Sequence, residues 1–97
     1  MVNEHVFEPS IHLTFDTVEL DRKRLLKYIR SPEVGGLRLQ LSQVKQCDSA
    51  GLSLLIEAKR LCTRFNKPFE IEGMPDAVHD LAEFCGVDII LQSLRAE

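Results

Sequence analysis

Cys47-Asp48-Ser49-Ala50-Gly51-Leu52 joins a loop to the start of a helix, and the residues on either side of it decide what kind of fold the chain makes. Downstream, apolar or small residues recur at Gly51, Leu54, Leu55, Ala58, Leu61, Cys62 and Phe65. That spacing gathers one helical face, so an amphipathic helix is expected from about Ala50 to Arg64, with Ser53, Glu57, Arg60 and Arg64 on its far side. Asp48 and Ser49 are both helix-capping residue types, since a short side-chain oxygen can take a backbone N–H left unpaired in the first turn; either can be the N-cap. Lys59, Arg60, Arg64 and Lys67 suit the negative pole at the other end, and Asn66 suits a left-handed C-cap before Pro68. Leu52 and Ile56 do not fit the stripe. They lie roughly 130° to 170° from its centre. Two readings are open: they pack under a neighbouring loop, or they form a small docking patch just beyond the Asp48-Ser49 turn.

Upstream, Leu37, Leu39 and Leu41 alternate with Arg38 and Gln40 in a strand, and the Ser42 to Cys47 connection leads from it to the helix. Phe69 and Ile71 alternate with Glu70 and Glu72 in the next strand. Gly73-Met74-Pro75 then opens a helix whose inner face takes Met74, Val78, Leu81, Ala82 and Cys85 and which Gly86 closes. Val87 to Leu91 is read as a short final strand or turn. In the N-terminal third, residues 5 to 7 suit a short edge strand, Ile11-His12-Leu13-Thr14-Phe15 alternates as a strand with one dry face, and Asp16-Thr17 opens a helix. In that helix Val18, Leu25 and Ile29 align before Pro32 stops it. Strand–helix alternation after residue 37 implies parallel strands joined by crossovers, whereas the N-terminal strands are expected to pair antiparallel. The expected fold is α/β, a small mixed sheet with its helices mainly on one side and part of the other face open.

Length and composition limit what such a fold can do. Ninety-seven residues make one domain, read here as spanning residues 1–97, with 44% hydrophobic and 28% charged residues. No run approaches the ~18 apolar residues of a membrane helix, and the start Met-Val-Asn-Glu-His lacks a secretory signal's basic and apolar regions. Three cysteines without CxxC spacing fit a reducing cytoplasm. The net charge of −3 argues against a nucleic-acid partner, which calls for a basic stripe, and Arg22-Lys23-Arg24 with Lys27 reads as a solvated helix face.

Reactive residues do not assemble. His5, His12 and His79 are placed apart by the expected elements, and Asp48 is adjacent in sequence to Ser49, a poor position for the third member of a Ser-His-Asp site. Cys47, Cys62 and Cys85 are too widely spaced for a zinc site and read as core thiols. Gly35-Gly36 precedes a strand, the wrong order for a phosphate loop. No catalytic residue, metal or cofactor is expected.

The run Leu39-Gln40-Leu41-Ser42, then Val44, then Asp48-Ser49-Ala50-Gly51-Leu52 with Leu54 and Leu55, resembles the signature of STAS domains. That family includes anti-sigma-factor antagonists and the small cytoplasmic subunit of the Mla phospholipid transporter. The similarity continues through Gly73-Met74-Pro75 and Leu81-Ala82-Glu83-Phe84-Cys85-Gly86-Val87, so it covers residues 37 to 91 well and the N-terminal third by pattern. The resemblance implies a mixed sheet with helices largely to one side, and no chemistry. In the antagonists it implies that the serine after the aspartate, here Ser49, accepts phosphate from a kinase that is also the sigma-binding partner. Gln40 departs from the usual strand residue beneath that site and Ala50 from a second serine often found there. Asp-Ser-Ala-Gly-Leu followed by an aliphatic helix looks more like the Mla subunit. That likeness implies a protein peripheral to the inner membrane, held there by the cytoplasmic ATPase of an ABC transporter, the MlaF-like subunit, which it supports in moving phospholipid between the envelope membranes. The expected contact set is Asp48, Ser49, Ala50, Gly51, Leu52 and Ile56.

Overall fold

A computed structural model describes residues 6–92. His5, and the tail after residue 92, lie outside the described residues. The elements in order are β1 (Val6–Phe7), β2 (His12–Leu13), α1 (Val18–Arg30), β3 (Leu37–Gln40), β4 (Gln46–Cys47), α2 (Ser49–Arg64), β5 (Phe69–Glu72), α3 (Asp76–Phe84) and α4 (Asp88–Gln92). The fold is α/β and STAS-like, built on two small sheets: a three-stranded one in the order β1-β3-β5 and a pair, β2-β4.

Every pairing is parallel, with Phe7 opposite Leu39, Leu13 opposite Cys47, and Leu39 opposite Ile71. The expected antiparallel N-terminal pairing is therefore corrected. β1 and β2 do not form a hairpin, because each joins a different sheet and reaches its partner only after α1 has carried the chain back, the long crossover a parallel pair requires. The row Phe7–Leu39–Ile71 faces the helices: Phe7 and Leu39 are buried and Ile71 is half-buried. The opposite face carries Arg38, Gln40, Glu70 and Glu72, where Arg38 Nε lies 3.2 Å from Glu72 and 3.7 Å from Glu70.

α1 covers β1 through a tilted ring contact of Tyr28 on Phe7, centroids 5.5 Å apart, with the Arg24 guanidinium 4.8 Å from the Phe7 centroid. Asp21, fully buried, is satisfied by the Ser10 amide (3.1 Å), the Ser10 hydroxyl (3.0 Å) and Arg24 (2.9 Å), an arrangement that ties the β1–β2 bend to α1. α2 is the central helix and touches α1, α3, α4 and strands of both sheets. Asn66, at φ 60°, turns the chain out of α2 as expected, and Gly86, at φ 76°, does the same after α3.

Three further expectations are corrected. The strand read over Ile11–Phe15 shrinks to His12–Leu13, because Thr14 starts a turn: the Thr17 and Val18 amides both donate to its carbonyl, and Phe15 is left 77% exposed. The stretch read as a short final strand or turn is helical from Asp88, with Leu91 buried and its amide donating to the Val87 carbonyl just before the helix, and Ile89 outside; two adjacent isoleucines imitate a strand. Cys85 is exposed because α3 ends at Phe84 and Cys85 is its C-cap, where helical periodicity no longer applies.

Candidate functional site

Asp48, in extended backbone, is the N-cap of α2, which resolves the choice between Asp48 and Ser49. Its Oδ1 accepts from the Gly51 amide at 3.0 Å, and its Oδ2 accepts from the Phe15 amide at 3.0 Å across the β2–α1 turn. One carboxylate thus both caps the helix and fastens the neighbouring turn to it. The Phe15 and Gly51 amides hold the Asp48 carboxyl below the usual carboxylate range. Thr17 braces the same turn from its other side: its hydroxyl accepts from the Thr14 amide (3.1 Å) and donates to the His12 carbonyl (2.5 Å).

With Asp48 as cap, the Ser49 hydroxyl, on the exposed first residue of α2, hydrogen-bonds to no described residue. Ala50 is half-buried. Gly51 is buried against β2, and a Cβ there would lie 2.0 Å from the Leu13 carbonyl oxygen, so glycine is what lets the helix start approach the strand. The placement of Leu52 on a wet face is corrected: it is 3% exposed and belongs to the core. A single dry stripe underestimates the cover on α2, which packs against α1, α3 and α4 as well as strands of both sheets, so apolar residues are buried around more of its circumference. Ile56 is half-buried and lines the outer surface of α2. The expected contact set therefore divides into an exposed Ser49 between half-buried Asp48 and Ala50, a buried pair at Gly51 and Leu52, and half-buried Ile56 farther along the helix.

Phe15 is the residue that sequence reasoning missed. Strict alternation placed it on a strand, although Thr14-Phe15-Asp16-Thr17, with turn-forming types on both sides of it, carried the opposing signal. It stands exposed at a turn anchored directly to Asp48. Gln40 accepts from the Ser42 amide at 2.9 Å and donates to Glu72 at 3.5 Å, so it braces the end of β3.

The chemistry in reach is limited. Asp48 engages two backbone amides and, among the described residues, orients no imidazole. Burial pushes the thiols of Cys47 and Cys62 up to about 11, which keeps both protonated and unreactive near neutrality. On α3, His79, Asp80 and Glu83 bring ligand atoms within 4.8 Å of one another. The sequence reading had weighed only the cysteines as metal ligands. His79 and Glu83 are 3.9 Å apart, the one-turn neighbour contact of an ordinary polar helix face. No helix among the described residues is long and apolar enough to cross a membrane.

The family model described as "Mlab, STAS domain" matches residues 10–93. The chain belongs to the STAS-domain family, of the MlaB type. No curated protein and no solved structure matches it. Within this STAS domain the matched span runs from just before β2 through α4, and so takes in the braced Phe15 turn as well as the Asp48–Ser49 helix start.

Proposed function

We propose that this STAS domain is a non-catalytic binding module that docks, through the start of α2, on the cytoplasmic ATPase of an ABC transporter, and that it supports that ATPase in moving phospholipid between the inner and outer membranes. The observation that carries the reading is the exposed Ser49, whose hydroxyl bonds to no described residue, at a helix start whose cap, Asp48, also holds the turn that bears the 77% exposed Phe15. An exposed aromatic on a turn whose backbone is anchored has the makings of an interface anchor, since large aromatic side chains are enriched among the residues that dominate binding energy. In this reading the domain sits on the cytoplasmic side of the inner membrane, held there by its partner.

A second reading has one observation in its favour. Ser49 is open to a kinase, as the phosphoacceptor of an anti-sigma-factor antagonist must be. Phosphate there would add about −1.5 to −2 charge at a helix N-terminus, which tolerates anions while an acidic partner would not.

Co-purification separates the two: an ABC ATPase retained in stoichiometric amount supports the first, and retention of a serine kinase with phosphate transfer to Ser49 selects the second. Ser49→Asp and Phe15→Ala are both expected to abolish capture of the ATPase with the circular dichroism spectrum unchanged. Full capture by both folded variants sinks the assignment of this turn as the interface.

A further inference from the structure

The outer face of α2, beyond the turn just discussed, holds two shallow hollows that share Ile56, Arg60 and Arg64. One opens toward Ser53 and Glu57, the other toward Lys59, Thr63 and Ile90 of α4. The acid in this lining, Glu57, is already neutralised: Arg22 Nε donates to both of its oxygens at 2.9 Å, and Nη2 lies 2.8 Å from one of them. Arg60 and Arg64 are exposed and form no ion pair with a described residue. A chain of net charge −3 thus carries two guanidiniums one helical turn apart with no ion-pair partner among the described residues, beside the apolar side chains of Ile56 and Ile90.

We propose that this face of α2 docks an acidic amphipathic helix of a partner protein. Two carboxylates of that helix, one turn apart, pair with Arg60 and Arg64, and an apolar side chain between them rests on Ile56 and Ile90. Spacing supports the match, because four residues rise about 6 Å in any α-helix, so carboxylates at i and i+4 repeat at the interval of the two arginines. Shape supports a helix over a membrane at Ile56, which is half-buried between the cations and is reached by a convex helix more readily than by a flat bilayer, while Ile90 stands 42% exposed beside it. Charge disfavours a two-fold pairing of this face with a second copy, which would set Arg60 and Arg64 against their own counterparts.

The inference does not depend on which ATPase or kinase binds the start of α2, and the test uses the full chain alone. The probe is a capped helical peptide of roughly 20 residues, long enough to be helical unaided, with Glu at i and i+4 around a leucine. The comparison peptide carries lysine at both glutamate positions. Fluorescence anisotropy at low salt should show saturable binding of the glutamate peptide, no binding of the lysine peptide, and a loss of about tenfold or more in Arg60→Glu/Arg64→Glu, the size expected when two exposed ion pairs turn repulsive. Amide chemical-shift changes should centre on Ile56, Arg60 and Arg64 and spare Phe15 and Ser49, which separates this face from the turn. Because Arg60 and Arg64 are exposed, the double variant is expected to fold, and its unfolding midpoint checks that. Equal binding by the double variant, or no binding of the glutamate peptide by the wild type, overturns the proposal. So does sedimentation with phosphatidylglycerol vesicles, or self-association in ultracentrifugation, that the same double substitution removes.

Discussion

Gly51→Ala sets two effects of opposite sign against each other. Within a helix, alanine is favoured over glycine by about 0.8–1.0 kcal/mol, so propensity alone predicts stabilisation of α2. Packing predicts the reverse. The added Cβ would lie 2.0 Å from the Leu13 carbonyl oxygen, 2.8 Å from its carbon and 2.9 Å from the Leu13 Cγ. Two of those neighbours are backbone of β2 and cannot rotate away, so the start of α2 must move off the strand by about 1 Å or more to reach ordinary van der Waals separation. That displacement stretches the Asp48 amide to Leu13 carbonyl hydrogen bond, already 3.3 Å, beyond useful length. It also pulls the Asp48 carboxylate from the Phe15 amide. Overpacking of this kind costs about 1–3 kcal/mol, and a lost backbone hydrogen bond adds about 1, so the net expectation after crediting propensity is destabilisation of about 1–3 kcal/mol. Urea denaturation of wild type and Gly51→Ala, compared by midpoint at equal m-value, measures it directly. A variant as stable as the wild type, or more stable, would show that α2 does not approach β2 this closely, and the account of the site's rigidity would go with it.

Leu52→Ala should destabilise the domain by about 2–5 kcal/mol, as a core truncation, while Ile56→Ala costs clearly less; similar small losses at both would return Leu52 to the surface. Acid should act through Asp48. Its folded-state carboxyl is held down by the Phe15 and Gly51 amides, so its contribution is present above the unfolded value of about 3.9 and is lost as pH falls through the folded value. The stability gap between wild type and Asp48→Asn should therefore narrow from about pH 5 downward, and a gap constant to pH 2 contradicts the clamp. With a thiol reagent on the native protein, exposed Cys85 should react first, half-buried Cys47 more slowly, and buried Cys62 only on unfolding; three equal rates would refute this order.

What could be read from the sequence was what local periodicity and caps determine. The alternation at Leu37, Leu39 and Leu41, the stripe from Gly51 to Cys62, and the stop at Asn66 each appear where the pattern put them, because each depends on residues within a turn or two; Phe65, expected on the same stripe, is instead the exposed C-cap of α2. What could not be read depended on partners far along the chain. Leu52 is dry because α2 is packed on several sides, by α1, α3 and α4 as well as by strands of both sheets, and no arithmetic on α2 alone reveals those walls. Asp48 was legible as a cap but not as the acceptor for Phe15, 33 positions away. The full burial of Asp21 has no local signal either, because it depends on Ser10, eleven positions away, and on Arg24 satisfying the carboxylate. The parallel pairing of β1 with β3 and of β2 with β4 was hidden because strands of two residues carry too little pattern to state a direction.

The start of α2 therefore cannot be treated as a surface loop with an exposed serine on it. Asp48 holds the Phe15 turn, Gly51 permits the contact with Leu13, and Leu52 anchors the first helical turn in the core, so three buried or engaged residues position two exposed ones. A substitution at Asp48, Gly51 or Leu52 changes stability and the geometry of the turn together, and a loss of binding in such a variant says little about contact. Ser49 and Phe15 are different. The Ser49 side chain has no hydrogen-bond partner among the described residues and the Phe15 ring is mostly in solvent, so their removal should leave the fold within about 0.5 kcal/mol of wild type. A binding defect at these two positions alone, with stability unchanged, is evidence of an interface at the turn, because no folding effect remains to explain it.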